Sequence, residues 1–326
     1  MSINIDGLSH VYMRGTPCEK IALRDITMDI QEGTSLGIAG CAGSGKTTLI
    51  QHLNGILRPS AGKISVNGLE VAGKNLRELR RRVGILFQHP EQQLFEETVF
   101  REVAFGLNGR SRNPLERERR VKEALSAVGV GDEFLDASPF TLSAGLRRRV
   151  AIAAVLASGP EVLVLDEPTA GLDPRGRREI LDLMKLLHGR GGVTLILVSH
   201  NLDVIARICE RVVVMKEGAV VMDGETRKVL CDVGALERAG LRAPPITTLM
   251  AKLKGWMPEL DERLLTVEEA RRELNRVLRG DWRRRSIGDE RNDHGELLPR
   301  RLGDPQVGSQ DENNHCGDLT DSRIRC

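Results

Sequence analysis

The segment Gly40-Cys41-Ala42-Gly43-Ser44-Gly45-Lys46-Thr47-Thr48 decides the reading of this chain, because it fits the phosphate-cradling pattern G-x-x-x-x-G-K-[ST]. Its flanks agree. Before it, Ser35-Leu36-Gly37-Ile38-Ala39 is a short, mostly apolar run that reads as a buried strand. After it, Leu49, Ile50, Leu53 and Ile56 recur at helical spacing, and Asn54-Gly55 signals a stop. Strand, glycine loop and helix in that order let backbone N–H groups converge on phosphate oxygens, with the positive end of the helix dipole aimed at the same anion. In such a loop Lys46 reaches the β- and γ-phosphates of a nucleotide, and the Thr47 hydroxyl ligates Mg²⁺.

A second stretch supplies the acids. Val162-Leu163-Val164-Leu165-Asp166-Glu167 carries an aliphatic run, as a strand buried on both faces does, out to two carboxylates at its end. Open α/β sheets bind their ligands at the carboxyl ends of strands, so the pair reads as a Mg²⁺- and water-handling site. Further strands follow: Val193–Ser199 ends at His200, and Arg211–Met215 turns at Glu217-Gly218.

The N-terminal residues 1–34 alternate in polarity. Ile3 and Ile5, then Ile21 and Leu23, then Ile26, Met28 and Ile30 mark half-buried antiparallel strands. Tyr12, the only tyrosine, lies between them, and its position alone suggests packing beneath a hairpin. Ile64 and Val66 form another strand that turns at Asn67-Gly68. Val83–Phe87 reads as a buried strand ending in Gln88, and Pro114 opens a helix with Val121, Leu125 and Val128 on one face. Residues 93–158 thus read as a helical insert within an α/β domain.

Composition narrows the class. A chain of 326 residues suggests two domains, or one large α/β domain with an extension. Aromatics are only 3%, so Leu, Val and Ile must fill the core. A net charge of +2 argues against a generally basic nucleic-acid binder. The six cysteines show no zinc-like spacing and suit free thiols in a reducing cytoplasm. Met1-Ser2-Ile3-Asn4-Ile5-Asp6 lacks the pattern of a signal peptide, and no apolar run approaches the roughly 18 residues of a spanning helix. Any membrane crossing falls to another chain.

Leu142-Ser143-Ala144-Gly145-Leu146-Arg147-Arg148-Arg149-Val150-Ala151-Ile152-Ala153 resembles the signature segment of ATP-binding-cassette ATPases and stands just before the acidic strand, as in that family. Gln88 resembles the family's Q-loop, Ala170-Gly171-Leu172-Asp173 its D-loop and His200 its switch histidine. Tyr12 falls where the family stacks an aromatic ring on adenine. The likeness covers about residues 3–225. Three shorter stretches are similar to one branch, the ATPases of energy-coupling-factor transporters, which import cobalt and vitamins. They are Tyr12-Met13-Arg14-Gly15-Thr16-Pro17, Gln88-His89-Pro90-Glu91-Gln92-Gln93-Leu94-Phe95 and Thr266-Val267-Glu268-Glu269-Ala270. The Gly-Thr-Pro segment resembles the second of two paired ATPases.

The resemblance implies an α/β, P-loop ATPase core with an antiparallel β subdomain, a helical insert carrying the signature, and a small C-terminal helical region. The expected divisions are 1–225, 226–280 and 281–326, the last a disordered tail. It implies ATP and Mg²⁺ as ligands, with Asp166, Thr47 and Gln88 around the metal, Glu167 polarising water and His200 at the γ-phosphate. Ser143 and Gly145 would cap the nucleotide of a sister ATPase, or of a second copy, in a head-to-tail dimer. A transmembrane coupling subunit and a substrate-binding membrane subunit complete the expected assembly at the cytoplasmic face of the cell membrane, without nucleic acid. The family's signature reads Leu-Ser-Gly-Gly-Gln, whereas here Ala144 and Leu146 replace a glycine and the glutamine. Leu146 cannot hydrogen-bond to a nucleotide.

Soluble relatives offer an alternative. Those acting on DNA carry long coiled coils between phosphate loop and acidic strand, but no sustained heptads occur here, and those acting on ribosomes join two cassettes where this chain has one phosphate loop. Glu167 and His200 argue against a non-hydrolysing regulator. In the C-terminal region, Thr266-x-x-Glu269 forms a capping box before the stripe Ala270, Leu274, Val277 and Leu278. That stripe is expected to bury either on the ATPase core or in a dimer contact. After Gly280 the chain is polar, and Trp282-Arg283-Arg284-Arg285 reads as a solvated basic run.

Overall fold

Alternating side chains build the first sheet of this computed structural model, which describes residues 2–71, 73, 75–107 and 113–288. In β1 (Ser2–Tyr12), Ile3 and Ile5 are buried, and in β2 (Lys20–Gln31) so are Leu23, Ile26, Met28 and Ile30. Asp25 takes a left-handed φ of +47°, and the register shifts between the pairs Leu8–Ile26 and His10–Leu23. After β3 (Ser35–Gly40) and α1 (Lys46–Leu53), β4 (Ala61–Val66) and β5 (Leu69–Glu70) join this antiparallel sheet in the order β2-β1-β4-β5. Asn67 and Gly68 both have positive φ, as a tight hairpin turn requires. Ile56 departs from the sequence reading. Asn54 caps α1 two residues earlier, so Ile56 leaves the helical face and is exposed.

The second sheet carries the chemistry. α2 (Leu76–Arg82) leads into β6 (Val83–Leu86), and α3 (Val99–Phe105), α4 (Pro114–Ala127) and α5 (Ala144–Ala157) form the helical insert. β7 (Val162–Asp166), α6 (Pro174–Gly191), β8 (Thr194–Val198), α7 (Leu202–Ile208), β9 (Arg211–Lys216) and β10 (Ala219–Glu225) follow. The strand order is β10-β9-β3-β8-β7-β6, parallel except for the β9–β10 hairpin. Every residue of β3, β7 and β8 is buried, as a sheet covered on both faces demands. Leu163, Leu165, Leu195 and Leu197 face the core shared with the helical insert. Val162, Val164, Ile196 and Val198 face a second core, beneath the antiparallel sheet and α1. Because β3, β7 and β8 run parallel, their carboxyl ends emerge at one edge.

α8 (Thr226–Cys231), α9 (Val233–Arg238), α10 (Pro245–Lys254) and α11 (Val267–Gly288) make up the C-terminal region. The capping box forms as expected, Glu269 N donating to Thr266 Oγ1 at 3.2 Å and Thr266 N to Glu269 Oε2 at 3.3 Å. The apolar stripe does not pack on the ATPase core. Ala270, Leu274 and Val277 pack with Ile246, Met250, Leu253, Met257, Leu260 and Leu264 in a small core of the region's own, and Leu278 is exposed. Met1–Val277 form one compact unit and Leu278–Cys326 a second, of which only the end of α11 is described. α11 runs on past Gly280 to Gly288. Residues 289–326, most of the expected tail, lie outside the described residues, as do the side chains of the run Trp282-Arg283-Arg284-Arg285.

Candidate functional site

Glycine makes the phosphate loop possible at two points. Gly40, at the end of β3, has φ +155°, and a Cβ there would lie 2.4 Å from Ser44 Oγ and 2.5 Å from the Met215 carbonyl. Gly45 starts α1 at φ +102°, where a Cβ would lie 2.7 Å from the Ala22 carbonyl. Lys46 follows at once, and its ammonium bridges the loop, donating to the carbonyls of Gly40 (2.7 Å) and Cys41 (2.8 Å) and to Ser44 Oγ (3.3 Å). Burial pulls the Lys46 ammonium below its ordinary range, while Glu167 and Asp166 pull it back.

Next to Lys46, the Thr47 hydroxyl donates to Asp166 Oδ2 at 3.1 Å. Asp166 closes the last rung of β7 opposite Val198 of β8. Burial pushes its carboxyl above the ordinary range, the Thr47 bond opposes this, and the neighbouring Glu167 adds to it. Glu167 leaves the sheet at φ +48°, an uncommon conformation for a side chain of its size. Its backbone N–H still donates to the Val198 carbonyl at 2.9 Å. The turn aims a carboxylate only 8% exposed at the end of β8, where Oε2 accepts from the Ser199 hydroxyl (3.0 Å) and Oε1 from His200 N (2.7 Å). His200 Nδ1 lies 2.5 Å from the same Oε1, while the ring itself is 70% exposed. Chain segments far apart in sequence thus deliver a lysine, a threonine, two acids and a histidine to one sheet edge.

The other expected residues stand apart. Tyr12 is half-buried and lines a cleft of about 190 Å³ with Lys20, Ala22 and Gly43 to Thr48, its Oη 3.2 Å from Thr48 Oγ1. It borders the phosphate loop rather than lying hidden under a hairpin. Gln88 is exposed after β6 and makes no hydrogen bond to this cluster. Ser143 caps α5 by accepting from Leu146 N at 3.3 Å, and Ser143 and Gly145 make no bond to the cluster either. Leu146 is half-buried against the main core, and Ala144 is exposed. Asp173 accepts from Gly176 N at 2.7 Å as the cap of α6.

Arg148 escaped the sequence reading. It is 2% exposed and grips both carboxylate oxygens of Glu91 at 3.0–3.1 Å, while Nη1 donates to the carbonyls of Pro168 (3.0 Å) and Ala170 (2.9 Å). One side chain therefore ties the signature helix, the segment after Gln88 and the turn after Glu167. The available signal was an arginine in register with the buried Ala151 and Ile152 on an otherwise apolar stripe. Cys41 Sγ donates to the Gly240 carbonyl at 3.1 Å, a link between phosphate loop and C-terminal region that no motif announces.

A phosphate loop on β3, an acid pair on β7 and a histidine after β8, in a sheet bearing a helical insert, define an ATPase of the ATP-binding-cassette class. A family profile described as ABC transporter matches residues 23–170. The energy-coupling factor transporter ATP-binding protein EcfA2 of Acetivibrio thermocellus is 48% identical over 279 residues, covering 86% of this chain and 99% of the relative. The protein of the same description from Clostridium tetani is 46% identical over 280 residues, covering 85% and 97%. The chain belongs to this family of energy-coupling factor transporter ATP-binding proteins. Among solved structures, cbiO1 of Clostridium perfringens, part of the ABC transporter complex cbiONQ, is 38% identical with a TM-score of 0.65, covering 76% of this chain and 98% of its own. The bacterial ABC transporter cassette MJ0796, as a dimer in a post-hydrolysis state with ADP and Pi, is 28% identical with a TM-score of 0.62, covering 69% and 98%.

Proposed function

We propose that this chain binds and hydrolyses ATP to drive an energy-coupling-factor importer of vitamins or transition-metal ions, as a peripheral subunit at the cytoplasmic face of the cell membrane. The observation that carries the proposal is the convergence of Lys46, Thr47, Asp166, Glu167 and His200 at one sheet edge, joined by the Thr47–Asp166 and Glu167–His200 bonds. The family membership supports it. Among the described residues no helix is long and apolar enough to cross a membrane, in keeping with a subunit that relies on others for the crossing.

The loop from Gly40 to Thr48 would receive the phosphates on its backbone N–H groups, and Lys46 would exchange its loop carbonyls for phosphate oxygens. Thr47 and Asp166 offer hard oxygen donors already 3.1 Å apart, which suits Mg²⁺, and Gln88, which stands apart from them here, would have to move in to join the set. When bound, Mg²⁺ neutralises charge on the β- and γ-phosphates. Glu167, its carboxylate oriented by Ser199 and His200, polarises the attacking water and takes its proton, and His200 contacts the γ-phosphate from its exposed side. Ser143 and Gly145 cap the nucleotide of a sister ATPase, or of a second copy, stacked head to tail.

The coupling subunit of the membrane has a suitable seat. Ile56, Phe105, Val155 and Ile85 line a groove of about 540 Å³, and exposed Phe95 stacks edge to face on Phe105 with centroids 4.9 Å apart. Phe95 follows Gln88 in the same segment, so a helix seated there would lie beside the segment that carries the glutamine. A separate membrane subunit would bind the solute.

Glu167→Gln tests the reading. It retains shape and hydrogen bonding but removes the charge, so ATP binding should persist while hydrolysis by the reconstituted complex falls at least about a hundredfold. Near-normal turnover would remove Glu167 from the mechanism. A pull-down in mild detergent should recover the membrane subunits, and their absence would argue for another importer.

A further inference from the structure

Beside the phosphate loop, Tyr12 and Thr48 close a circuit with His10 and His52, two side chains to which the proposed mechanism gives no role. The Thr48 hydroxyl lies 3.2 Å from Tyr12 Oη, and the Thr48 carbonyl accepts from His52 Nδ1 at 2.7 Å, one turn further along α1. His52 Nε2 lies 3.2 Å from His10 Nδ1, which is also 3.1 Å from the Arg58 carbonyl oxygen. The His10 ring meets Tyr12 edge to face, with centroids 4.5 Å apart and planes at 79°. It meets His52 in the same manner at 4.7 Å and 74°. His10 is 8% exposed and His52 fully buried, whereas Tyr12 opens onto the cleft of the phosphate loop.

The circuit follows from two periodicities. His10 and Tyr12 are two apart on β1 and share a face, and Thr48 and His52 are four apart on α1 and share another. Its imidazole protons are all used. His52 Nδ1 donates to Thr48, which leaves Nε2 as an acceptor, and a single proton on His10 Nδ1 serves both that acceptor and the Arg58 carbonyl. Another proton on His52 Nε2 would set one N–H against another. Burial agrees, holding the His52 imidazole below its ordinary range against the pull of the Thr48 bond. Two apolar side chains would fill this volume without needing partners, and the imidazoles add direction.

We propose that His10 and His52 are positioning residues for the nucleotide base, holding the Tyr12 ring at a set distance and tilt from the phosphate-binding helix. The inference rests on the reading that Tyr12 faces the base. Phosphate loop and aromatic platform then move as one body, and a nucleotide that seats its phosphates finds its base contact already oriented.

Mg-ADP and Mg-pyrophosphate separate this role from a merely structural one, because only the first carries a base. Both would be titrated calorimetrically against the full chain and the variants Tyr12→Ala, His10→Leu, His10→Phe and His52→Leu. His10→Leu and His52→Leu should each weaken Mg-ADP by about three- to tenfold while Mg-pyrophosphate stays within about twofold. His10→Phe should recover part of the loss, since it keeps the ring edge against Tyr12. Equal losses for both ligands would reveal a general disturbance of α1 and overturn the proposal. If Tyr12→Ala lowers Mg-ADP affinity and the histidine variants do not, the positioning role fails while the base contact survives. If Tyr12→Ala changes nothing, the base contact fails and takes the proposal with it.

Discussion

Burial pushes the Asp166 carboxyl above its ordinary range, even though the Thr47 hydroxyl and Lys46 favour its charged form. The sign of the consequence is definite. Between the ordinary carboxylate value and the raised one the folded chain holds a proton that the unfolded chain has released, so this group's contribution to stability falls as pH rises through that window. Above that window the charge therefore destabilises the nucleotide-free fold. Asp166→Asn should raise the melting temperature without nucleotide and lower the Mg²⁺-dependent part of ATP affinity. A lower melting temperature in a scan with chelator would show that the charge stabilises the fold. At this scale the sequence was legible wherever chemistry and spacing coincide, as in Lys46-Thr47 and Asp166-Glu167. Ser199 and Arg148 were illegible for the opposite reason. Their partners lie far away in the chain, and an arginine in a run of three reads as surface until the fold buries it.

The signature helix α5 is tied to its neighbours through that arginine. Arg148→Met would keep the volume but leave half-buried Glu91 with only His89 beside its carboxylate and the Pro168 and Ala170 carbonyls without the Arg148 donor. The expected loss is about 3 kcal/mol in denaturant unfolding, the low end for a broken buried pair because Glu91 retains some access to water. Adding Glu91→Gln should restore part of it. A loss under about 1 kcal/mol would mean that the clasp is incidental. Strands and helices of the ATPase core were legible as elements, because aliphatic runs such as Val162–Leu165 have room only in a sheet covered on both faces. The partner of α11 was not. A stripe of Ala270, Leu274 and Val277 announces that something apolar covers it, and only the fold shows that α10 and the segment around Leu260 do so.

Across the whole unit, the C-terminal region carries its own sensitivity to acid. Glu273 accepts from the Arg276 guanidinium at 2.6 Å and from Asp261 N at 2.8 Å, and these bonds hold its carboxyl down at about 2. A depressed carboxylate stabilises above its ordinary value near 4.5, and that contribution is lost as pH falls from there toward about 2. Glu273→Gln should therefore flatten the stability profile in that interval and leave it parallel to the parent above it. Identical slopes below pH 4.5 would refute the assignment. What no local pattern disclosed at this scale is strand order. The sequence names β3, β7 and β8, yet nothing in it says that β8 lies between the other two.

The double burial of β7 has a genetic consequence. Leu163 and Leu165 face one core, Val162 and Val164 the other, and Asp166 ends the series opposite Val198. Deleting or inserting a single codon in this strand would exchange the two faces and rotate Asp166 away from Thr47, damaging two cores and the active site in one event. Changes of length are then tolerated in the connections and in the helical insert, and not within β7.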